Sequence, residues 1–136
     1  MKKTILLFLF TFICMSTHGQ SRSSESGKKA KITFDETSHD FGDIKQGDQV
    51  SYTFSFKNTG EESLVISKVR TTCGCTAPYW PKEPIAPGKT DKIKITFNSK
   101  GKMGHQHKVI TVESNAVNNP ETVSITANIL PATTTK

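Results

Sequence analysis

Residues 50–57 alternate without a fault: Val50, Tyr52, Phe54 and Phe56 are apolar, and Ser51, Thr53, Ser55 and Lys57 between them are polar. Successive side chains of an extended strand point to opposite faces, so the pattern commits this segment to a strand with one face in a core and one in water. A sheet with one apolar face must be covered, and the rest of the chain has to supply the cover. It supplies more strands. Ile32 and Phe34 open one, residues 39–44 form another, and Leu64, Val65, Ile66 and Val69 follow the strand at 50–57. Ile93, Ile95 and Phe97, then residues 107–112, then Val123, Ile125, Ala127 and Ile129 give three more. About seven short strands, turn signals at roughly 8–12-residue spacing and no helical period predict an all-β fold, a two-sheet antiparallel β-sandwich. Tyr52, Phe54, Phe56, Ile66, Ile95, Phe97, Ile110 and Ile125 are the expected core, each large side chain contributing about 2 kcal/mol on burial.

The connections carry their own signals. Residues 45–48 look like a hairpin turn, and Asn58-Thr59-Gly60-Glu61 ends the clearest strand with residues that suit turn geometries. Pro81, Pro84, Pro87 and Gly88 exclude a central strand between them, because a proline has no N–H for the ladder. Ser114-Asn115 reads as a strand-ending turn. His39-Asp40 could be drawn as an acid–base pair, but neighbours in a strand face opposite ways, so a turn-fixing role is expected instead.

The N-terminus addresses the chain. Lys2 and Lys3 precede an apolar run at residues 5–14, and Thr17-His18-Gly19 ends it with small residues at the positions a signal peptidase reads, so residues 1–19 are expected to be a signal peptide cleaved before Gln20. The run is too short for a transmembrane helix. Cys14 follows Ile13, where a lipoprotein peptidase requires a small residue, which argues against a lipid anchor. Export to the periplasm, cell surface or medium is the expectation. The two lysines and no acids of residues 1–19 leave 16 basic against 12 acidic residues, a net of +4 in place of +6. That charge is scattered: Lys92 and Lys94 alternate with Ile93 and Ile95 as on a solvated strand, and no basic stripe interleaved with aromatics suggests nucleic acid. Residues 20–30, with serines, lysines and no bulky apolar side chain, are expected to form a flexible leader. The domain is placed at 31–130, and residues 131–136 form a polar tail.

The stretch Thr71-Thr72-Cys73-Gly74-Cys75-Thr76-Ala77-Pro78-Tyr79-Trp80 interrupts the strands. After residue 19, Cys73 and Cys75 are the only cysteines, and an exported compartment favours a disulfide between them. In an extended chain their Cα atoms would stand roughly 6.5–7 Å apart, at the edge of the usual disulfide range of about 4.4–6.8 Å, so a curl at Gly74 is expected. Two other readings stay open. Two thiolates on one strand face suit a soft ion such as copper or zinc, with His105 and His107 as further ligands. A thiol-redox couple is the other, although such enzymes space the pair by two residues at a helix start. Tyr79, Trp80 and Pro81 form a candidate contact patch, aromatic as interface hot spots are, or else a cover for the open end of the sandwich.

Five segments in order, His39-Asp40-Phe41-Gly42 with Ile44 and Gly47, Phe54-Ser55-Phe56-Lys57-Asn58-Thr59-Gly60, Cys73-Gly74-Cys75-Thr76 with Pro78, Pro84-Ile85-Ala86-Pro87-Gly88, and Ser114-Asn115, resemble the bacterial family known as domain of unknown function 1573, common in exported proteins of Bacteroidetes. The resemblance covers about residues 32–130. It implies an immunoglobulin-like sandwich related to domains of centrosomal and ciliary proteins and, more distantly, to the major sperm protein fold. It implies no established reaction. Cys73 and Cys75 match the family's paired cysteines, whereas His105 and His107 have no counterpart in its pattern. No phosphate loop, metalloprotease histidine pair or nucleophile elbow occurs in the sequence. The expectation is a non-enzymatic exported module without a cofactor or small-molecule substrate, acting through contacts with another protein or exported assembly. The alternative is a small thiol-redox or soft-metal protein using the Cys-Gly-Cys pair.

Overall fold

A computed structural model describes residues 28–133, and the signal-peptide segment, most of the leader and the end of the tail lie outside them. Eight strands follow in order: β1 (Ile32–Phe34), β2 (Ser38–Lys45), β3 (Gln49–Asn58), β4 (Ile66–Thr71), β5 (Thr76–Tyr79), β6 (Thr90–Asn98), β7 (Gly104–Ser114) and β8 (Glu121–Leu130). They form two four-stranded sheets, β1-β3-β6-β5 and β2-β8-β7-β4. The sandwich is as expected, with β5 the strand that raises the number to eight. It contains Pro78 and pairs only with β6, and the edge of a sheet is where a proline is tolerated.

Two expectations need correction. The pairing is not wholly antiparallel: β2 runs parallel to β8, from Ser38 beside Ser124 to Lys45 beside Leu130. The turn at residues 45–48 is also no hairpin, since it carries the chain from β2 in one sheet to β3 in the other. Local bonds hold that corner: Asp48 N–H donates to the Lys45 carbonyl at 3.0 Å, and Lys45 N–H to Asp48 Oδ2 at 2.9 Å. Because the chain changes sheet at this corner, β2 finds its neighbour at the far end of the sequence.

The period-two residues meet between the sheets. Phe54 and Phe56 of β3 and Ile93, Ile95 and Phe97 of β6 pack with Ile110, Val112, Val123 and Ile125 of the other sheet, all nearly or fully buried. Tyr52 departs from the expected core. It shares the inward register but lies at the open side, half-buried, where its ring stacks on His39 at 3.6 Å between centroids and its hydroxyl donates to Glu36 Oε2 at 2.6 Å. That bond to a carboxylate raises the Tyr52 pKa above its ordinary value.

One end of the sandwich is tied by Asn58, a fully buried polar side chain. Its Nδ2 donates to the carbonyls of Glu62 (2.6 Å) and Ile85 (2.9 Å), and its Oδ1 accepts from Gly60 N–H (3.0 Å) and Lys31 N–H (3.4 Å). Gly60 next to it admits the incoming chain. A Cβ there would collide with the Lys29 carbonyl oxygen and stand 2.5 Å from the Lys31 nitrogen. Ala30, at the end of the leader segment, is buried at this junction. Ile85 is buried within the proline-rich connection and forms an isolated bridge with Leu64.

Candidate functional site

After β4 the chain crosses to the other sheet through the cysteine turn. Cys73 and Cys75 are joined by a disulfide, with Cα atoms 5.3 Å apart, closer than the roughly 6.5–7 Å of a strand. The curl is present, but it is not a glycine-only conformation. Gly74 has φ outside the left-handed region and open space where a Cβ would stand. The turn is closed instead by neighbouring threonines. Thr71 Oγ1 donates to the Cys73 carbonyl at 2.9 Å and lies 3.2 Å from that of Thr76, while Thr76 N–H donates to the Cys73 carbonyl at 3.3 Å. The Thr76 side chain is buried beneath the bridge, with both sulfurs 3.9 Å from its Oγ1. Asn98 N–H donates to the Cys75 carbonyl at 2.9 Å, pinning the turn to β6.

Bridged sulfurs offer neither a nucleophilic thiolate nor a thiolate ligand. His105 and His107 pair in register with Asn128 and Thr126 and are exposed, on the face of β7 opposite the buried Ile110 and Val112. No group of three or more His, Cys, Asp or Glu among the described residues is placed to hold a metal ion. The structure therefore does not assemble the four-ligand set of Cys73, Cys75, His105 and His107.

His39 and Asp40 separate as strand neighbours must. His39 turns inward onto Tyr52 and meets Phe41 edge-on, with centroids 4.7 Å apart. Asp40 turns outward and its Oδ1 accepts Gly42 N–H at 2.9 Å. This backbone bond, then Thr126, with His105 and His39 contributing less, holds its carboxyl below the ordinary value. Gly42 takes a φ of 66° at the bulge where the β2–β8 register shifts.

The aromatic patch divides in the same way. Tyr79 and Trp80 are consecutive residues leaving an edge strand, so they cannot both face water. Tyr79 is 72% exposed. Trp80 packs against the core, its buried Nε1 finding no acceptor among the described residues, and Lys82 Nζ lies 3.1 Å from the ring centroid. Trp80 thus anchors the loop that presents its neighbours. Tyr79 and Pro81 line an open cleft of about 630 Å³ together with Thr53, Lys82, Glu83, Asp91, Lys92 and Lys94. In the sequence alone Lys92 and Lys94 present as an ordinary solvated strand face. Sorting the charges of residues 49–58 and 90–98 by strand face, lysines outward and no outward acid, is the signal that would have marked them.

The fold and this turn define the class: an immunoglobulin-like two-sheet sandwich with a bridged Cys-Gly-Cys corner beside an aromatic cleft. The chain belongs to the family of proteins of unknown function DUF1573, which matches residues 32–129. Among curated proteins none matches the sequence. A protein of unknown function from Porphyromonas gingivalis W83 is similar in structure, with a TM-score of 0.65 and 16% identity over 74% of this chain and 47% of that one. The PapD-like domain 7 of human CEP192 gives 0.64 and 12% identity over 87% of this chain and 98% of the domain. The YadV chaperone gives 0.55 and 15% identity over 73% of this chain and 52% of its own. The chain spans about half the length of the Porphyromonas protein. At these identities the likeness is one of fold.

Proposed function

We propose that this protein is an exported, non-enzymatic interaction module that binds another protein through the surface beside its cysteine turn. The observation that carries this reading is the presentation of Tyr79: a mostly exposed aromatic at an apolar cleft, held at the edge strand β5 between a bridged turn and a half-buried Trp80 packed against the core. An aromatic fixed in this way contributes contact area at little further entropic cost, the arrangement from which hot spots are built. The DUF1573 membership and the PapD-like and chaperone-like neighbours fit such a role. Export rests on the signal-peptide features of residues 1–19, and the bridge suits an oxidising compartment.

The test is chemical crosslinking of the natively expressed protein in its cell-envelope fraction, beside a Tyr79→Ser, Pro81→Ser variant. A discrete crosslinked species that disappears in the variant while the melting temperature is unchanged is expected. Persistence of that species, or none in either protein, refutes the reading. Intact mass of the same material tests export, which requires a mature chain beginning at Gln20. Alkylation before and after mild reduction tests the bridge. A freely accessible thiol pair or a stoichiometric metal in the native protein would favour the redox or metal alternative.

A further inference from the structure

The four edges of the sandwich and its two outer faces differ in what they offer a partner. Strand addition needs a regular, open edge that presents N–H and C=O groups in series. Among the described residues no edge is of that kind. β1 has three residues, β5 carries Pro78, and the registers of both β2 and β4 shift against their neighbours. These are the features by which sheets avoid edge pairing. A partner is therefore directed to a face.

The outer faces are unlike in charge. On the β2-β8-β7-β4 sheet the outward register mixes the signs: Asp40, Asp43 and Glu113 stand among Lys45, Lys68, Arg70, His105 and His107, and Arg70 is ion-paired to Glu113. On the β1-β3-β6-β5 sheet the outward register holds Lys57, Lys92 and Lys94, with Ala77, Tyr79 and otherwise hydroxyl and amide side chains, and no carboxylate. No salt bridge among the described residues engages these three lysines. Lys92 and Lys94, two apart on one strand, place their Cα atoms roughly 7 Å apart, the repeat of alternate side chains in any extended peptide. Beside Lys94 lies the Tyr79–Pro81 cleft, in register through the Tyr79–Lys94 pair.

Resting on the interaction reading above, we propose that the partner is an acidic protein segment lying in extended form across this sheet face. Carboxylates two residues apart meet Lys92 and Lys94, and a bulky apolar side chain seats in the cleft against Tyr79 and Pro81. The cleft selects a peptide over a uniform polyanion. A polyanion of repeating charge brings no bulky apolar side chain to the recess, and Glu83 and Asp91, which line it with the lysines, repel a ligand of unbroken negative charge.

Two measurements on the mature protein test this. In fluorescence anisotropy, a labelled ten-residue peptide alternating Asp with Ser and bearing one Phe is compared with the same peptide carrying Ser for Phe, with polyglutamate and with heparin. The Phe peptide is expected to bind best and to weaken with added salt. Lys92→Glu with Lys94→Glu should cost about tenfold or more and Tyr79→Ser several-fold, at unchanged melting temperature. Equal or tighter binding of polyglutamate or heparin, or indifference to the lysine reversals, overturns the proposal. In cells, a photo-crosslinking residue is placed at Thr53 on this face, or at Ser67 on the β4 edge. Capture from Thr53 that Lys92→Glu, Lys94→Glu abolishes supports the face. Capture from Ser67 alone overturns the face proposal and leaves the interaction function standing, whereas capture from neither overturns both.

Discussion

Replacing Asn58 with alanine should be among the most damaging polar substitutions in the domain. The side chain is fully buried and satisfies four backbone groups on three segments: the Lys31 and Gly60 amides and the Glu62 and Ile85 carbonyls. Each lost hydrogen bond costs about 1 kcal/mol, and more where the orphaned group stays away from water. The Ile85 carbonyl is partly spared because it still accepts Leu64 N–H at 2.8 Å, and the Asn58 backbone keeps its bonds to Lys89 and Gly88. The net expectation is a loss of about 3 kcal/mol, which for a domain of this size lowers the melting temperature by roughly 12–24 °C. Thermal and urea unfolding followed by circular dichroism read this directly, with an unchanged urea slope confirming that stability alone has moved. Asn58→Asp should also destabilise, because it loses both donor bonds and buries a charge, and its deficit should grow as the pH rises through the carboxylate range. A loss below about 1 kcal/mol for the alanine variant would refute the idea that this side chain ties the end of the sandwich.

Gly60→Ala should cost about 2 kcal/mol or more in urea unfolding, since its Cβ meets backbone that cannot yield, while Gly74→Ala, with open space and an ordinary φ, should stay within about 0.5 kcal/mol of wild type. Replacing Cys73 and Cys75 together with serine should lower stability by only about 1–2 kcal/mol, because so small a ring restricts few unfolded conformations; a loss above about 4 kcal/mol in the same assay would make the bridge a principal stabiliser. The depressed Asp40 carboxyl contributes stability that is present above pH 3.8 and lost as the pH falls through its lower folded value. Melting temperatures measured from pH 6 down to pH 2 should therefore fall less steeply for Asp40→Asn, and identical acid limbs would show that the Gly42 bond contributes nothing.

Particular residues show how far the sequence can be read. The row Val50, Tyr52, Phe54 and Phe56 declares its inward face because a strand has a strict period of two; Phe54 and Phe56 are fully buried, while Val50 and Tyr52 are half-buried, Tyr52 at the open side where its hydroxyl reaches Glu36. The Cys73–Cys75 bridge was legible as one of three readings of the pair, because no other cysteine follows residue 19. Its mechanism was not, because the threonine hydrogen bonds that close the turn depend on Thr76 lying beneath it. β5 was hidden by Pro78, which forbids a central strand but not an edge one. The division of labour between Tyr79 and Trp80 follows from alternation, yet which of the two faces water depends on the β5–β6 register, a non-local fact. The same holds for the lysine face, since Lys57 comes into line with Lys92 and Lys94 only when β3 pairs with β6.

The parallel alliance of β2 with β8 sets a timetable for the chain. β2, near the start of the domain, has no neighbour in its sheet except β8, and Ser38 waits for Ser124. Contacts so distant in sequence demand loop closure before they return any energy, so they form slowly and late. A nascent chain that has not yet delivered β8 lacks β2's only neighbour in its sheet, and the core lacks Val123, Ile125, Ala127 and Ile129. An incomplete chain is thereby held open until its last strand is made. Under the export proposed above, that delay would leave the chain extended while it is threaded through the membrane.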